Sequence, residues 1–163
     1  SEKDSLYRMI GLGALKYFIL KVDPKKKMLF NPKESIDFNG NTGPFIQYTH
    51  ARIQSIMRKA SEQGFEVCVP AGVELGAKEI RLVKILGSYP QKVKEAADAL
   101  SPALIANYWY DLAKEFNQYY HDTSILREPD NDVMKMRLAL ISTIASVLRN
   151  AMKILGIELP DRM

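Results

Sequence analysis

Apolar residues recur every three or four positions through most of the chain, which is the periodicity of helices that bury one face. The pattern predicts six longer helices, at about residues 4–20, 43–62, 77–87, 90–100, 102–120 and 132–155. The segments between the first three helices lack this period and are rich in turn residues, although Lys27–Phe30 has the character of a short strand. We therefore predict an all-α fold, an antiparallel helical bundle.

The helix predicted from residue 43 has the clearest start and stop signals. Asn41 or Thr42 can cap its N-terminus, and Pro44 fits its first turn, where a missing N–H costs nothing. Gln63 and Gly64 end the helix. The apolar face, which is expected to lie in the core, contains Ile46, Ile53, Met57 and Ala60.

An aromatic and basic strip borders that face, and it consists of Phe45, Tyr48 and Arg52. Exposed aromatic rings near basic groups can stack on unpaired bases, which contributes roughly 1–3 kcal/mol per base. Helix spacing alone explains Phe45 equally well as the edge of the core. The strip therefore indicates a candidate RNA contact without establishing one.

The helix predicted at residues 102–120 is rich in aromatic residues. A strict spacing of four predicts core positions at Leu104, Tyr108, Leu112 and Phe116. Trp109, Tyr119 and Tyr120 fall outside that row, so they need not all face inward. The helix at 77–87 is predicted to bury Ile80, Val83 and Leu86.

The first forty residues differ in organisation from the remainder. They contain one helix and an irregular segment in which Pro32 is expected to prevent a regular helix. Gly11 and Gly13 indicate close packing against a neighbour that is missing from this chain. We place a boundary near residues 38–43, so that the predicted units are 1–40 and 41–163.

Composition permits a polyanionic partner and argues against a membrane span. The net charge is +4 and the sequence pI is about 9.1, which is mildly basic. No run of about 18 apolar residues occurs. Cys68 is the single cysteine, so an internal disulfide and a multi-cysteine zinc site are excluded.

The sequence contains no recognisable catalytic or metal-binding pattern. His50 and His121 are the only histidines, and they do not form a two-histidine metal motif. The Gly11-Leu12-Gly13 run lacks the third glycine of a dinucleotide loop. We therefore expect no catalytic residue and no metal ligand in this chain.

Three blocks of the sequence resemble the anticodon-binding domain of arginyl-tRNA synthetases. "GNTGPFIQYTHARIQSI" is similar to the start of that domain, with its Gly-Asn-Thr-(Gly/Ala)-Pro-aromatic-x-Gln-Tyr pattern. "ANYWYDLAKEFNQYYHDTSIL" resembles the family's tyrosine-containing helix, and residues 137–163 resemble its last helix and terminal Met. Upstream, "GLGALKY" is similar to the end of the family's catalytic domain.

The resemblance implies a fold and a function. Residues 41–163 would form an all-α anticodon-binding domain of the DALR type, and residues 1–40 would be a remnant of a class I catalytic domain. The family attaches arginine to its tRNA using ATP, with magnesium, in the cytoplasm. Its His-x-Gly-His and Lys-Met-Ser-Lys-Ser signatures are absent here. The chain alone is thus expected to be inactive and without a cofactor, and to be a monomer whose partners are the tRNA for arginine and the remaining catalytic and N-terminal domains.

The resemblance also implies RNA-binding residues. The family's anticodon contacts fall on Phe45, Tyr48, Arg52, Tyr120 and Met163 of this sequence. The family often has Tyr at the position of Phe45, and Phe can stack on a base but cannot donate a hydrogen bond. For Tyr120 the structural alternative is burial with its hydroxyl bonded to backbone. A different function for the whole chain is a helical protein–protein interaction domain that binds no RNA.

Overall fold

In a computed structural model that describes residues 2–163, the chain folds into helices joined by loops. The helices are α1 (Glu2–Leu20), α2 (Pro32–Ser35), α3 (Gly43–Glu62), α4 (Ala77–Gly87), α5 (Tyr89–Asp98), α6 (Pro102–Asp122) and α7 (Asn131–Ile154). Residues 2–163 contain no β-strand, so the strand expected at Lys27–Phe30 is wrong. The predicted all-α fold is confirmed. None of the helices described is both long and apolar enough to cross a bilayer.

A short helix begins at Pro32, although this proline is expected from the sequence to prevent a regular helix. The Asn31 side chain accepts hydrogen bonds from the backbone N–H groups of Lys33 and Glu34, at 3.1 and 3.5 Å. Proline is tolerated in the first turn of a helix because its missing N–H has no intrahelical partner there. The rule that excludes proline from helix interiors therefore does not apply to this position.

Thr42 caps α3, which is one of the two candidates for that role. Its Oγ1 accepts a hydrogen bond from the backbone N–H of Phe45 at 3.2 Å. The other candidate, Asn41, contacts the Tyr17 hydroxyl at 2.6 Å through Oδ1. Thr42 therefore starts the helix while Asn41 links it to α1.

The core lies among α3, α6 and α7, and most of its large side chains come from α6 and α7. The largest buried side chain is Trp109, which faces inward together with Tyr119, whereas Tyr120 is exposed. Leu104 is exposed, so its predicted core position is wrong. The buried face of α6 is wider than a single row at a spacing of four, and Ile105 occupies the first turn in place of Leu104.

The predicted inner face of α4 is wrong at two of its three positions, since only Leu86 packs against the core. Ile80 and Val83 are exposed, while Leu82 and the carboxylate-bearing Glu79 are buried. Glu79 has two partners in the interior, the hydroxyl of Tyr119 and the guanidinium of Arg137. A buried carboxylate requires such partners.

Helix α1 packs closely against α3. A Cβ added to Gly13 would lie 2.5 Å from Gln47 Nε2, and one added to Gly43 would lie 2.6 Å from the Gly13 carbonyl oxygen. Tyr17 is fully buried, with its hydroxyl 2.8 Å from the Ala106 carbonyl oxygen. The neighbour that requires a glycine at position 13 is thus α3, and not a missing body. Gly11 has no atom within 4 Å of an added Cβ.

Candidate nucleic-acid interface

An open groove of about 970 Å³ lies along one side of α3. Its other walls are the end of α6, the loop at residues 123–127, and the last two residues of the sequence. Four of the predicted RNA-binding residues line it, namely Tyr48, Arg52, Tyr120 and Met163. The fold therefore brings together positions that are separated by up to 115 residues in the sequence.

The centre of the groove is an arginine between two tyrosines. The guanidinium carbon of Arg52 lies 4.8 Å from the Tyr48 ring centroid and 5.3 Å from the Tyr120 ring centroid. Both distances are within the range of cation–π attraction. Tyr48 is 42% exposed and Tyr120 is 39% exposed, so each ring keeps surface available to a ligand. The alternative for Tyr120, burial with its hydroxyl bonded to backbone, therefore disagrees with its exposure.

A hydrogen-bonded chain holds the guanidinium in place. Arg52 Nη1 donates to Asn117 Oδ1 on α6. Asn117 Nδ2 in turn donates to Thr49 Oγ1 at 2.7 Å, and the Thr49 hydroxyl donates to the Phe45 carbonyl oxygen at 2.8 Å. Thr49 is fully buried. Arg52 is consequently positioned before any ligand arrives, while most of its five N–H donors stay unused by Asn117.

The charged side chains that line the groove are all cationic. Its cationic lining residues are Arg52, Arg58, Lys59, Arg127 and Arg162. Within residues 2–163, no aspartate or glutamate lines it. A concave surface lined by one sign of charge concentrates ligands of the opposite sign. The groove is therefore suited to a polyanion.

Phe45 does not line the groove. Its ring packs on that of Tyr110, with centroids 5.4 Å apart, and the side chain is half-buried. It lies about one helical turn before Tyr48, which instead makes an edge-to-face contact with Phe38 at a centroid distance of 6.3 Å. The structure thus separates Phe45 from the other four predicted residues.

A partly buried ionic network supports the loop that forms one wall of the groove. Glu79 accepts from the Tyr119 hydroxyl at 3.0 Å and from Arg137 Nε at 3.3 Å. Arg137 Nη1 also pairs with Glu128 at 2.5 Å. Burial, and then the Glu79 charge, raise the pKa of Tyr119 above its ordinary value, so its hydroxyl stays a donor. The network connects α4, α6 and α7 to the loop that carries Arg127.

Several lining residues were not predicted from the sequence. Lys59 lies seven positions after Arg52, on the same side of α3, and helical periodicity could have identified it. Asn117, which holds Arg52 without lining the groove, lies one turn before Tyr120 on α6 and has no sequence signal of its own. Arg127 and Arg162 come from irregular segments, where no periodicity operates.

Comparisons with known proteins agree with this architecture. A family model described as the DALR anticodon binding domain matches residues 46–163. The chain is 57% identical to the arginine–tRNA ligase of Phocaeicola vulgatus, over 99% of the chain and 27% of that protein. It is 58% identical to that of Bacteroides thetaiotaomicron, over 99% of the chain and 28% of that protein. The chain thus spans little more than a quarter of the length of these relatives.

Solved structures show the same fold. The Thermus thermophilus arginyl-tRNA synthetase superposes with a TM-score of 0.88 at 34% identity, covering 96% of this chain and 27% of that one. The Plasmodium falciparum enzyme gives a TM-score of 0.82 at 26% identity, covering 98% of this chain and 28% of that one. A protein–protein interaction domain without RNA binding is not favoured. The chain belongs to the DALR anticodon-binding domain family, and it is similar over almost its entire length to part of the arginine–tRNA ligases.

Proposed function

We propose that the chain is the tRNA-recognising part of an arginine–tRNA ligase, and that its groove holds unpaired anticodon bases of the tRNA for arginine. The observation that supports this most directly is Arg52 held between Tyr48 and Tyr120 in a groove lined by cations. Family membership supports the class of ligand, and the geometry of the groove supports the proposed contacts.

The two tyrosines are the stacking surfaces of the proposed site. A base has an aromatic face whatever its identity, so an exposed tyrosine ring can stack on it. Arg52 then presents planar N–H donors to a base edge or to a phosphate, and its fork can engage two acceptors at once. Because Asn117 already orients the guanidinium, little conformational entropy is lost on binding.

The remaining cations of the groove contact the phosphate backbone in this proposal. Arg58, Lys59, Arg127 and Arg162 surround the stacking residues. Such contacts position the nucleic acid without reading its sequence. Met163, with a flexible and polarizable thioether, packs against a base from the far side of the groove.

Phe45 has a separate role in the proposal. Its ring is half-buried against Tyr110, outside the groove. We place it against a neighbouring nucleotide, which it contacts by stacking alone because a phenyl ring has no donor. Its contribution is therefore smaller than that of Tyr48.

In this proposal the full-length protein, and not this chain alone, activates arginine. ATP and magnesium bind in a catalytic domain, and neither signature of that domain occurs in this sequence. The catalytic and N-terminal domains would cover the exposed apolar side chains of α1 and the segment after it, which are Leu12, Leu15, Ile19, Leu29 and Phe30. Residues 1–40 are then the catalytic side of the boundary, residues 41–163 the anticodon-binding side, and the protein acts as a monomer in the cytoplasm.

The test is a titration of the chain with transcribed tRNA for arginine and with the same transcript carrying a different anticodon. The proposal expects the arginine anticodon to bind more tightly, and the affinity for both transcripts to fall with added salt as phosphate contacts are lost. Equal affinities for the two transcripts would contradict anticodon recognition. An absence of tRNA binding at low salt would instead favour the alternative function, a protein–protein interaction domain.

A further inference from the structure

The segment after α7, residues 155–163, turns back along α3 and ends in the groove. We call it the tail. Gly156 allows the turn with a φ of +66°, which favours glycine. The tail carbonyl of Glu158 then accepts from Gln47 Nε2 at 2.9 Å. Beyond it, Arg162 and Met163 line the groove.

A buried histidine contacts the middle of the tail. His50 is 0% exposed, and its Nδ1 lies 2.9 Å from the Pro160 carbonyl oxygen. Its Nε2 lies 3.3 Å from Arg149 Nη2 on α7 and 3.4 Å from Gln54 Nε2 on α3. The carbonyl can only accept and the guanidinium can only donate. The network therefore assigns the neutral tautomer with its hydrogen on Nδ1 and its lone pair on Nε2.

The next residue of the tail is held by two arginines. Asp161 pairs with Arg149 through its carboxylate, and its backbone oxygen accepts from Arg58 Nη1 at 2.9 Å. Arg149 is shared, because the same guanidinium faces His50 and Asp161. The charged groups around His50 are thus Arg149 from α7 and Asp161 from the tail. The ion pair of Arg149 and Asp161 is exposed, so water screens it, whereas the hydrogen bond from His50 to Pro160 is buried.

We propose that His50 is a positioning residue for RNA binding, which fixes the tail to α3 through Pro160 and so places Arg162 and Met163 in the groove. This inference rests on the proposed function of the groove. His50 itself is buried and does not line the groove, so it acts through the tail. Its position on α3, two residues before Arg52 and in contact with both α7 and the tail, lets one buried hydrogen bond set the location of the groove's far wall.

Burial of His50 favours the neutral ring, as the hydrogen-bond geometry does. It is the main cause that lowers the pKa of His50 below its ordinary value, and the Arg149 charge adds to the effect while Pro160 and Asp161 oppose it. A second ring proton on Nε2 would point at the Arg149 guanidinium. The neutral ring is accordingly the form that holds the tail.

Substitution of His50 by asparagine or by glutamine distinguishes the roles of its two ring nitrogens. In His50→Asn the amide nitrogen occupies roughly the position of Nδ1 and can still donate to Pro160. In His50→Gln the amide group reaches the position of Nε2, and the bond to Pro160 is lost. We expect H50Q to weaken binding of transcribed tRNA for arginine by about tenfold, the equivalent of one buried hydrogen bond, and H50N to restore most of that affinity.

A third comparison removes the tail end. In a chain lacking Arg162 and Met163, H50Q should cause no further loss of tRNA affinity, because residues that act through one another are not additive. Amide exchange of residues 157–163 should be faster in H50Q than in H50N, whether or not RNA is present.

Equal tRNA affinities of H50Q and H50N would overturn the inference, as would an undiminished effect of H50Q in the truncated chain. These outcomes differ from failure of the proposed function. In that case the unsubstituted chain binds no tRNA, while the exchange of the tail still reports whether His50 holds it.

Discussion

Arg52 and Tyr48 lie one helical turn apart on α3, with the guanidinium carbon 4.8 Å from the tyrosine ring centroid. The pair is preformed because Asn117 holds the guanidinium from α6. An arginine fixed in this way presents charge and planar donors beside a stacking surface. The following predictions test what this arrangement does.

Removal of Arg52 should reduce tRNA affinity and change its salt dependence. Arg52→Ala deletes one cation, so the salt slope should fall by about one unit if the guanidinium contacts a phosphate. Fluorescence titration with tRNA at several salt concentrations measures both quantities. Arg81→Ala is the matched control, because Arg81 is an exposed arginine that pairs with Glu115 outside the groove. Identical effects of the two changes would show that only net charge matters.

Two adjacent tyrosines on α6 should respond oppositely to truncation. Tyr120 is 39% exposed in the groove, so Tyr120→Ala should cost roughly 1–3 kcal/mol of tRNA affinity with little change in melting temperature. Tyr119 is 2% exposed and bonds Glu79, so Tyr119→Ala should lower the free energy of unfolding by about 3–5 kcal/mol. Tyr48→Ala should behave like the Tyr120 variant. A large stability loss in either groove variant, with the affinity of the folded fraction unchanged, would contradict a stacking role.

Deletion of Arg162 and Met163 should weaken tRNA binding and leave the melting temperature nearly unchanged. Both residues are exposed in the groove, and the preceding Pro160 and Asp161 keep their own partners. Paired thermal unfolding and tRNA titration of the shortened chain check this. Unfolding of the shortened chain would assign these residues to packing.

His50 should make stability depend on pH. Its pKa is lowered in the folded chain from an ordinary value of about 6.5, mainly by burial, so the unfolded chain binds more protons in the window below that value. The free energy of unfolding should therefore decrease as the pH falls below about 6.5, until the lower pKa of the folded state is passed. Urea unfolding across this range measures it. H50N, which does not titrate there, should show a flatter profile, and matching profiles would exclude His50 as the source.

The chain alone should not activate arginine. Both ATP-binding signatures of the family are absent from its sequence. We expect no arginine-dependent exchange of pyrophosphate into ATP, measured with tRNA present because the family resemblance implies that tRNA is needed for activation. Measurable exchange by the purified chain would contradict this expectation.

Local features of the fold were predictable because their causes are local. The bounds of α4 match the prediction at Ala77–Gly87, and those of α3 follow from Thr42, Pro44 and the stop at Gln63. Caps, first-turn prolines and apolar periodicity act within a few residues of one another. The strip of Tyr48 and Arg52 beside the core face was visible for the same reason.

Which face of a helix is buried depended on contacts that the sequence does not display. Periodicity favours Ile80 and Val83 on α4, but Leu82 is buried instead, together with Glu79, which has its partners on α6 and α7. Similarly, the sequence pattern around Gly13 indicates close packing but does not identify the neighbour. Only the packing of α1 on α3 revealed that Gln47 and Gly43 lie against it.

The sequence alone predicted the six longer helices with their approximate ends and the aromatic and basic strip of α3, and the family resemblance added five candidate site residues. Packing between helices brings four of these five residues, with Arg58, Lys59, Arg127 and Arg162, into one groove and leaves Phe45 outside it on Tyr110. It also decided that His50 faces the tail. Local periodicity places side chains on the surface of one helix, but only packing between distant segments determines which of those surfaces meet.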